Sequence, residues 1–152
     1  MMLKKFAMSV ALLSTLLITV ACTTANAQKQ ENQAPAAQEI SITGAEEFNS
    51  NPHISKQIEI AKDGQIIITL ISNASTGFSW NEKATIADNS ILEQVKHETI
   101  GANSDKVGAA GAEQWTLKAM KTGATTVKLE YSRPWEGGEK GVWTLDLMVT
   151  VK

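Results

Sequence analysis

Residues 65–71 read QIIITLI, a run dominated by β-branched side chains. A run of this length and composition is typical of a strand that is buried on both faces. Outside it, apolar and polar side chains alternate at Ile40 and Ile42, at Ile58 and Ile60, over 127–131 and over 143–151. Alternation with period two is typical of half-buried antiparallel strands. Because a helical period is weak and confined to 87–94, we predict an all-β domain.

Six predicted strands occupy the later part of the chain: 65–71, 78–83, 91–99, 113–120, 124–132 and 142–151. Short strands separated by glycine-containing breaks predict a β-sandwich. In an up-and-down order of antiparallel strands, every second connection lies at the same end, so we expect 72–77 (loop 1), 100–112 (loop 2) and 133–141 (loop 3) to lie together. Seven of the ten glycines fall in these loops, where positive φ and close approach of another surface are most useful.

The aromatic composition is unusual, with four tryptophans against three phenylalanines and one tyrosine. Trp80, Trp115 and Trp143 lie at or near strand ends, and we expect them in the core. Trp135 lies inside loop 3 among glycines and charged residues, so we expect it to be exposed and to contact a partner.

Charge and cysteine content exclude several function classes. The chain has 152 residues, which suits one globular domain, and its formal charge is −2, so the basic footprint of a nucleic-acid-binding protein is absent. The single cysteine cannot form an internal disulfide or supply a thiolate zinc cluster. His53 and His97 lack metal-ligand spacing, and we expect each at the surface. We therefore expect no metal, no cofactor and no nucleic-acid partner.

Residues 1–27 are predicted to be a signal peptide. Lys4 and Lys5 precede an apolar stretch, 6–21, that is shorter than the ~20 residues of a membrane-spanning helix. Ala25-Asn26-Ala27 then fits an A-x-A cleavage site. This pattern predicts an exported, periplasmic protein.

A second processing site competes with the first. Val20-Ala21-Cys22 is similar to a bacterial lipobox, and cleavage there would end the signal peptide at residue 21 and place a lipid on Cys22. That lipid is the only membrane contact we expect. In either case 28–38, which reads QKQENQAPAAQ, is predicted to be a flexible linker, and 39–152 to be the folded domain.

Three motifs in the three loops carry a family resemblance. Residues 73–80, NASTGFSW, resemble the N-P-[ST]-T-G-[FY]-x-W motif of the chagasin family of cysteine-peptidase inhibitors. Residues 107–111, VGAAG, with the later Trp115 are similar to that family's G-x-G-G and W, and 133–136, RPWE, are similar to its R-P-W. Order and spacing agree over about 58–151. Ala74 replaces the usual Pro and Ala110 replaces a usual Gly, so loop 1 is expected to be less rigid and loop 2 more restricted.

The resemblance implies an immunoglobulin-like antiparallel β-sandwich that is not an enzyme. It implies an inhibitor of papain-like cysteine peptidases that acts reversibly and without a covalent bond. We also expect the protein to be a monomer. Loop 1 would enter the catalytic cleft, and loops 2 and 3 would contact its two sides. The peptidase-binding residues carried over by position are Asn73, Ser75, Thr76, Gly77, Phe78, Gly108, Ala109, Ala110, Gly111, Arg133, Pro134 and Trp135.

Other interpretations remain open from the residues alone. One is a periplasmic carbohydrate- or peptide-binding sandwich that uses Trp135 as a stacking platform. Another is a hydrolase, for which the sequence offers no organised nucleophile and no G-x-S-x-G motif. At residue level, Thr76 could simply cap its own turn, a role that Ser and Thr often fill.

Overall fold

The computed structural model describes residues 37–102 and 108–152. The regular elements are β1 Ala37–Ile42, α1 Ala45–Ser50, β2 His53–Ile60, β3 Gln65–Ser72, β4 Ser79–Trp80, β5 Thr85–Ile86, β6 Leu92–Ile100, β7 Gly111–Ala119, β8 Gly123–Ser132 and β9 Trp143–Val151. A single 3₁₀ turn covers Ala74–Thr76. Among the described residues, no helix is long and apolar enough to cross a membrane.

Several sequence predictions concern residues outside this range. The predicted signal peptide, Cys22 and linker residues 28–36 lie outside the described residues, as does Val107 of loop 2. Ala37 and Gln38, predicted to belong to the linker, are part of β1 and pair with Gln65 and Ile66 of β3. The folded domain therefore begins earlier than the predicted boundary at 39.

Two sheets form the predicted sandwich. One has the strand order β1-β3-β7-β6, and the other has β2-β9-β8-β4 with β5 also pairing β8. The pairs β3–β7, β6–β7 and β8–β9 are antiparallel as expected, but β1 runs parallel to β3 and β2 runs parallel to β9. The sheets are thus mixed rather than purely antiparallel. The sequence could not show this, because period-two alternation is the same for a strand running in either direction.

The core lies between the inward faces of the two sheets. Trp80 and Trp115 are fully buried, as predicted, while Trp143 is partly exposed and packs against the core. The predicted strand 78–83 shortens to β4, because the chain turns away after Trp80 and rejoins the same sheet as β5.

Helix α1 was missed by the sequence analysis because a six-residue helix is too short to show a period. It buries Phe48 completely. The Phe48 ring lies 5.3 Å from the Trp80 ring and 5.1 Å from the Trp143 ring, and Tyr131 lies 5.1 Å from Trp80 and 4.9 Å from Trp143. These four rings, here called the aromatic cluster, join α1 to the sheet that contains β4, β8 and β9. The Trp115 ring of the other sheet lies 6.4 Å from the Trp80 ring.

Candidate functional site

Loops 1, 2 and 3 meet at one end of the sandwich, as strand order predicted. The Asn73 side-chain amide of loop 1 donates to the Gly108 carbonyl of loop 2 at 3.1 Å. On the other side, the Arg133 guanidinium of loop 3 lies 4.4 Å above the ring of Phe78 at the end of loop 1. Loop 1 is therefore fastened directly to both of its neighbours.

Loop 1 is a compact turn whose tip faces solvent. The Asn73 carboxamide oxygen accepts from the Ser75 amide at 3.2 Å and from the Ser75 hydroxyl at 2.6 Å. The Thr76 hydroxyl donates to the Asn73 carbonyl at 2.6 Å, so Thr76 does cap its own turn. Ala74, Ser75 and Thr76 are all exposed. These bonds restrain the turn although Ala74 stands where a proline would restrict the backbone.

Gly77 ends this turn in the left-handed region, with φ of 78°. A Cβ on Gly77 would lie 2.8 Å from Cη2 of Trp135, so the indole of loop 3 rests against the bare backbone of loop 1. Both the positive φ and the close approach require glycine at this position.

Further contacts hold the base of loop 1. The Asn73 backbone N–H donates to the Tyr131 hydroxyl at 3.0 Å, which ties the loop to the opposite sheet. The Trp80 indole N–H donates to the Ile71 carbonyl at 2.8 Å. Buried aromatic residues with a polar atom thus both fill the core and fix the loop.

Loop 2 presents Gly108 and Ala110 to solvent, with Ala109 partly exposed. Gly108 has φ of 80°, whereas Ala110 does not need positive φ: Asp63 is the sole non-glycine residue with positive φ among the described residues. The alanine at 110 therefore does not strain the loop. Gly111 begins β7, and a Cβ there would lie 2.3 Å from the Ile100 carbonyl oxygen, so only glycine fits.

Loop 3 is closed by its own backbone. The Arg133 N–H donates to the Glu139 carbonyl at 2.8 Å, and the Gly138 N–H donates to the Trp135 carbonyl at 3.2 Å. The Lys140 ammonium also donates to the Trp135 carbonyl, at 3.0 Å. Pro134 and Trp135 lie at the exposed tip, and 51% of Trp135 is accessible, as predicted.

Arg133 is used inside the protein more than the sequence suggested. Its guanidinium lies over Phe78, is 5.8 Å from the Trp135 ring centre, and forms a 3.2 Å ion pair with Glu139. Cation–π contacts of this kind are worth about 0.5–1 kcal/mol at exposed sites. Arg133 thereby connects loop 1 to loop 3.

The chain matches the family model described as Chagasin family peptidase inhibitor I42 over residues 59–149, which is more than half of its length. The chain belongs to the chagasin family of peptidase inhibitors. This confirms the family that the three loop motifs indicated, and members of the family are inhibitors rather than enzymes.

Two relatives align with this chagasin-family member over most of their own length. It is 37% identical over 98 residues to Amoebiasin-2 of Entamoeba histolytica, covering 62% of this chain and 76% of the relative. It is 29% identical over 87 residues to Chagasin of Trypanosoma cruzi, covering 56% of this chain and 79% of the relative.

Solved structures show the same fold. The cysteine protease inhibitor EhICP2 of Entamoeba histolytica has a TM-score of 0.60 and 27% identity, covering 78% of this chain and 99% of that one. The inhibitor PbICP-C, solved in complex with falcipain-2, has a TM-score of 0.53 and 16% identity, covering 76% and 98%. The immunoglobulin-like sandwich is thereby confirmed.

The family member also contains a buried polar group that the sequence analysis overlooked. Glu113 is only 5% exposed, and its carboxylate contacts Ser72 at 2.7 Å and His97 at 3.0 Å. The surface position predicted for His97 is wrong: its side chain is 18% exposed and its ring lies 4.9 Å from the Trp115 ring. The sequence did carry an indication that Glu113 is buried. It lies two residues before Trp115, and residues two apart in a strand lie on the same face.

This group does not revive the hydrolase hypothesis. A serine hydrolase needs histidine next to the nucleophile and the acid behind the histidine. Here Glu113 lies between Ser72 and His97, and Ser72 is buried. Within 37–102 and 108–152, no three His, Cys, Asp or Glu side chains converge in a way that could hold a metal ion.

Proposed function

We propose that this protein blocks papain-like cysteine peptidases reversibly and without a covalent bond. Loop 1 would occupy the catalytic cleft, and loops 2 and 3 would contact the two sides of that cleft. The observation that carries the proposal is that loop 1, with its exposed tip at 74–76, is fastened to Gly108 on one side and to loop 3 on the other.

The shape and residue types of loop 1 suit a narrow cleft. Its exposed tip consists of Ala74, Ser75 and Thr76, all small side chains, and Gly77 follows. Because the loops are held together before binding, little conformational entropy is lost on association. A wedge of three loops can bury a standard interface of about 1,600 Å², so a specific complex needs no covalent bond to the enzyme.

The hydrogen bond from the Thr76 hydroxyl to the Asn73 carbonyl limits which group of a peptidase Thr76 can contact. A hydroxyl has one hydrogen to donate, and that of Thr76 is used on the Asn73 carbonyl. Of its two lone pairs, one faces the Phe78 N–H at 3.4 Å, and the other can accept a further hydrogen bond. Thr76 is therefore suited to accept from the imidazolium of a Cys/His pair rather than to donate to the thiolate.

The names of the relatives support the target class. EhICP2 is described as a cysteine protease inhibitor, and PbICP-C was solved bound to falcipain-2. These names give no such support to the carbohydrate- or peptide-binding alternative.

We also propose that the protein is exported to the periplasm and acts as a monomer. Export is supported by the charged and apolar pattern of 1–21, followed by two competing processing sites. The intact mass of the mature protein distinguishes a chain that starts at Gln28 from one that carries a lipid on Cys22.

Titration of the purified protein into active papain tests the proposed function. We expect stoichiometric loss of peptidase activity, recovery on dilution, and an inhibitor of unchanged mass. Thr76→Arg should raise the inhibition constant about 100-fold and Trp135→Ala about tenfold, as expected for interface hot spots. Thr126→Arg, at an exposed threonine on β8 remote from the loops, is the matched control and should inhibit normally.

Circular dichroism should show that all three variants fold. If Thr76→Arg and Trp135→Ala both inhibit papain as well as the unmodified protein, the loop end is not the binding site.

A further inference from the structure

One carboxylate contacts both ends of loop 1. Oε1 of Glu113 accepts from the Ser72 hydroxyl at 2.7 Å and from the Trp80 backbone N–H at 3.2 Å. Ser72 is the last residue of β3 and the first of loop 1, and Trp80 belongs to β4, the strand that follows the loop. Glu113 itself lies on neither strand but on β7, within the sheet that contains β3.

The topology explains why such a group is needed. In a hairpin, the two ends of a loop are held to each other by ladder hydrogen bonds between the flanking strands. Loop 1 has no such ladder, because β3 and β4 lie in different sheets. The Glu113 carboxylate takes its place by joining Ser72 to Trp80 across the sandwich, beside the bond from the Trp80 indole N–H to the Ile71 carbonyl.

His97 fixes the orientation of that carboxylate. Its Nε2 lies 3.0 Å from Oε2 of Glu113, and its ring packs against that of Trp115 at 4.9 Å, tilted by 37°. With Oε2 held by His97, Oε1 is directed at the ends of loop 1. Removing a carboxylate from water costs free energy. The hydrogen bonds of Glu113 to Ser72, Trp80 and His97 offset that cost.

We propose that Glu113 is the positioning residue of the inhibitory loop: it sets the separation of Ser72 and Trp80 and so holds the tip at 74–76 ready to bind. The proposal rests on the proposed function of loop 1 as the cleft-entering element. It does not place Glu113 in contact with the peptidase.

The test compares two substitutions that differ in one property. Glu113→Gln keeps an oxygen acceptor for Ser72 and Trp80, whereas Glu113→Leu removes it at similar volume. We expect Leu to raise the inhibition constant for papain about tenfold and Gln less than about threefold, because only Leu removes the acceptor that Ser72 and Trp80 share. If the charge itself mattered, Gln would be as damaging as Leu.

Thr125→Val is the matched control. Thr125 is also 5% exposed, and its hydroxyl accepts from the Asp88 N–H at 3.0 Å, at the end of the sandwich away from the loops. Its loss should lower the unfolding temperature and leave the inhibition constant unchanged.

Amide hydrogen exchange supplies a readout that needs no peptidase. The Thr76 and Gly77 amides donate to the Asn73 and Ala74 carbonyls inside loop 1. They should exchange about tenfold faster in Glu113→Leu than in the unmodified protein and be unaffected by Thr125→Val. If Glu113→Leu does not fold, Ser72→Ala serves as the second variant, because it removes one of the two hydrogen bonds from the loop ends to Glu113. It should raise the inhibition constant and the exchange rates of the Thr76 and Gly77 amides by about threefold.

The outcomes separate the two proposals. An unmodified protein that does not inhibit papain contradicts the proposed function, while exchange at Thr76 and Gly77 still tests Glu113. If the unmodified protein inhibits, and Glu113→Leu inhibits equally with unchanged loop exchange, Glu113 is not a positioning residue. Equal damage by Gln and Leu would also overturn the proposal.

Discussion

The two ends of this sandwich are held together by different kinds of bond. At the end away from the loops, the connections are made largely between backbone groups, with the Thr125 hydroxyl to Asp88 N–H bond as a side-chain exception. Asp63 N–H donates to the Ala119 carbonyl and Ala119 N–H to the Gly64 carbonyl, both at 2.9 Å, and Met120 N–H donates to the Ile91 carbonyl at 2.8 Å. At the loop end, the connections between elements are made largely by side chains.

The difference has a physical consequence. Backbone bonds form with almost any side chain, so the far end should tolerate substitution as long as its turns fit. Each side-chain bond at the loop end depends on one residue type, such as the Tyr131 hydroxyl or the Asn73 amide. We infer that stability is distributed over the far end and that binding competence is concentrated in a few residues of the loop end. Three predictions test this contrast.

We expect the largest effects on stability and inhibition from alanine substitutions of two glycines, Gly77 at the loop end and Gly123 at the opposite end of the sandwich. Gly77 and Gly123 both have positive φ, 78° and 149°, and an added Cβ would lie 2.8 Å from Trp135 and 2.7 Å from Ile91 respectively. Alanine at either position should cost about 1–2 kcal/mol of unfolding free energy. Gly77→Ala should also raise the inhibition constant about tenfold, because it displaces Trp135.

Denaturant unfolding and papain inhibition, measured on both variants, give the answer. Weaker inhibition by Gly123→Ala, or normal inhibition by Gly77→Ala, would show that the two ends are not separate in function.

A smaller effect is expected from Tyr131→Phe. The substitution keeps the ring stacked at 4.9 Å on Trp143 but removes the hydroxyl that accepts from the Asn73 N–H. Loss of one such bond should cost about 1 kcal/mol of stability. We expect the inhibition constant to rise about threefold, chiefly through faster dissociation. Stopped-flow dissociation from papain measures this, and an unchanged rate would mean that the tie to the opposite sheet does not position loop 1.

We expect no effect on inhibition from Asp88→Ala, at the end away from the loops. The Ser90 hydroxyl and backbone N–H both donate to the Asp88 carboxylate, at 2.7 and 2.8 Å, and they hold the pKa of Asp88 below its ordinary 3.8. A lowered folded-state pKa stabilises the fold above the ordinary value, and this contribution disappears as the pH falls through the folded-state pKa.

Thermal unfolding of the unmodified protein and of Asp88→Ala should therefore differ at neutral pH and converge in strong acid. Inhibition of papain should be the same for both. A difference in unfolding temperature that persists in strong acid would show that the Asp88 charge is not the stabilising group.

Sequence alone determined the local features of this protein. Period-two alternation fixed the main strands, because a sheet exposes alternate side chains to opposite environments. Strand order then placed loops 1, 2 and 3 at one end, and the polar, glycine-rich surroundings of Trp135 separated it from the buried Trp80 and Trp115. Each of these inferences needed only neighbouring residues or the order of strands along the chain.

Tertiary structure decided the features that depend on partners far apart in the chain. The parallel directions of β1 and β2, the burial of Phe48 and the internal contacts of Arg133 were all unpredicted. So was the bond from Glu113 to Ser72, which lies 41 positions earlier. Local patterning shows which face of a strand a side chain occupies, but not which distant group it contacts there. The loop motifs could therefore be recognised in the sequence, whereas the contacts that hold the loops could not be predicted from it.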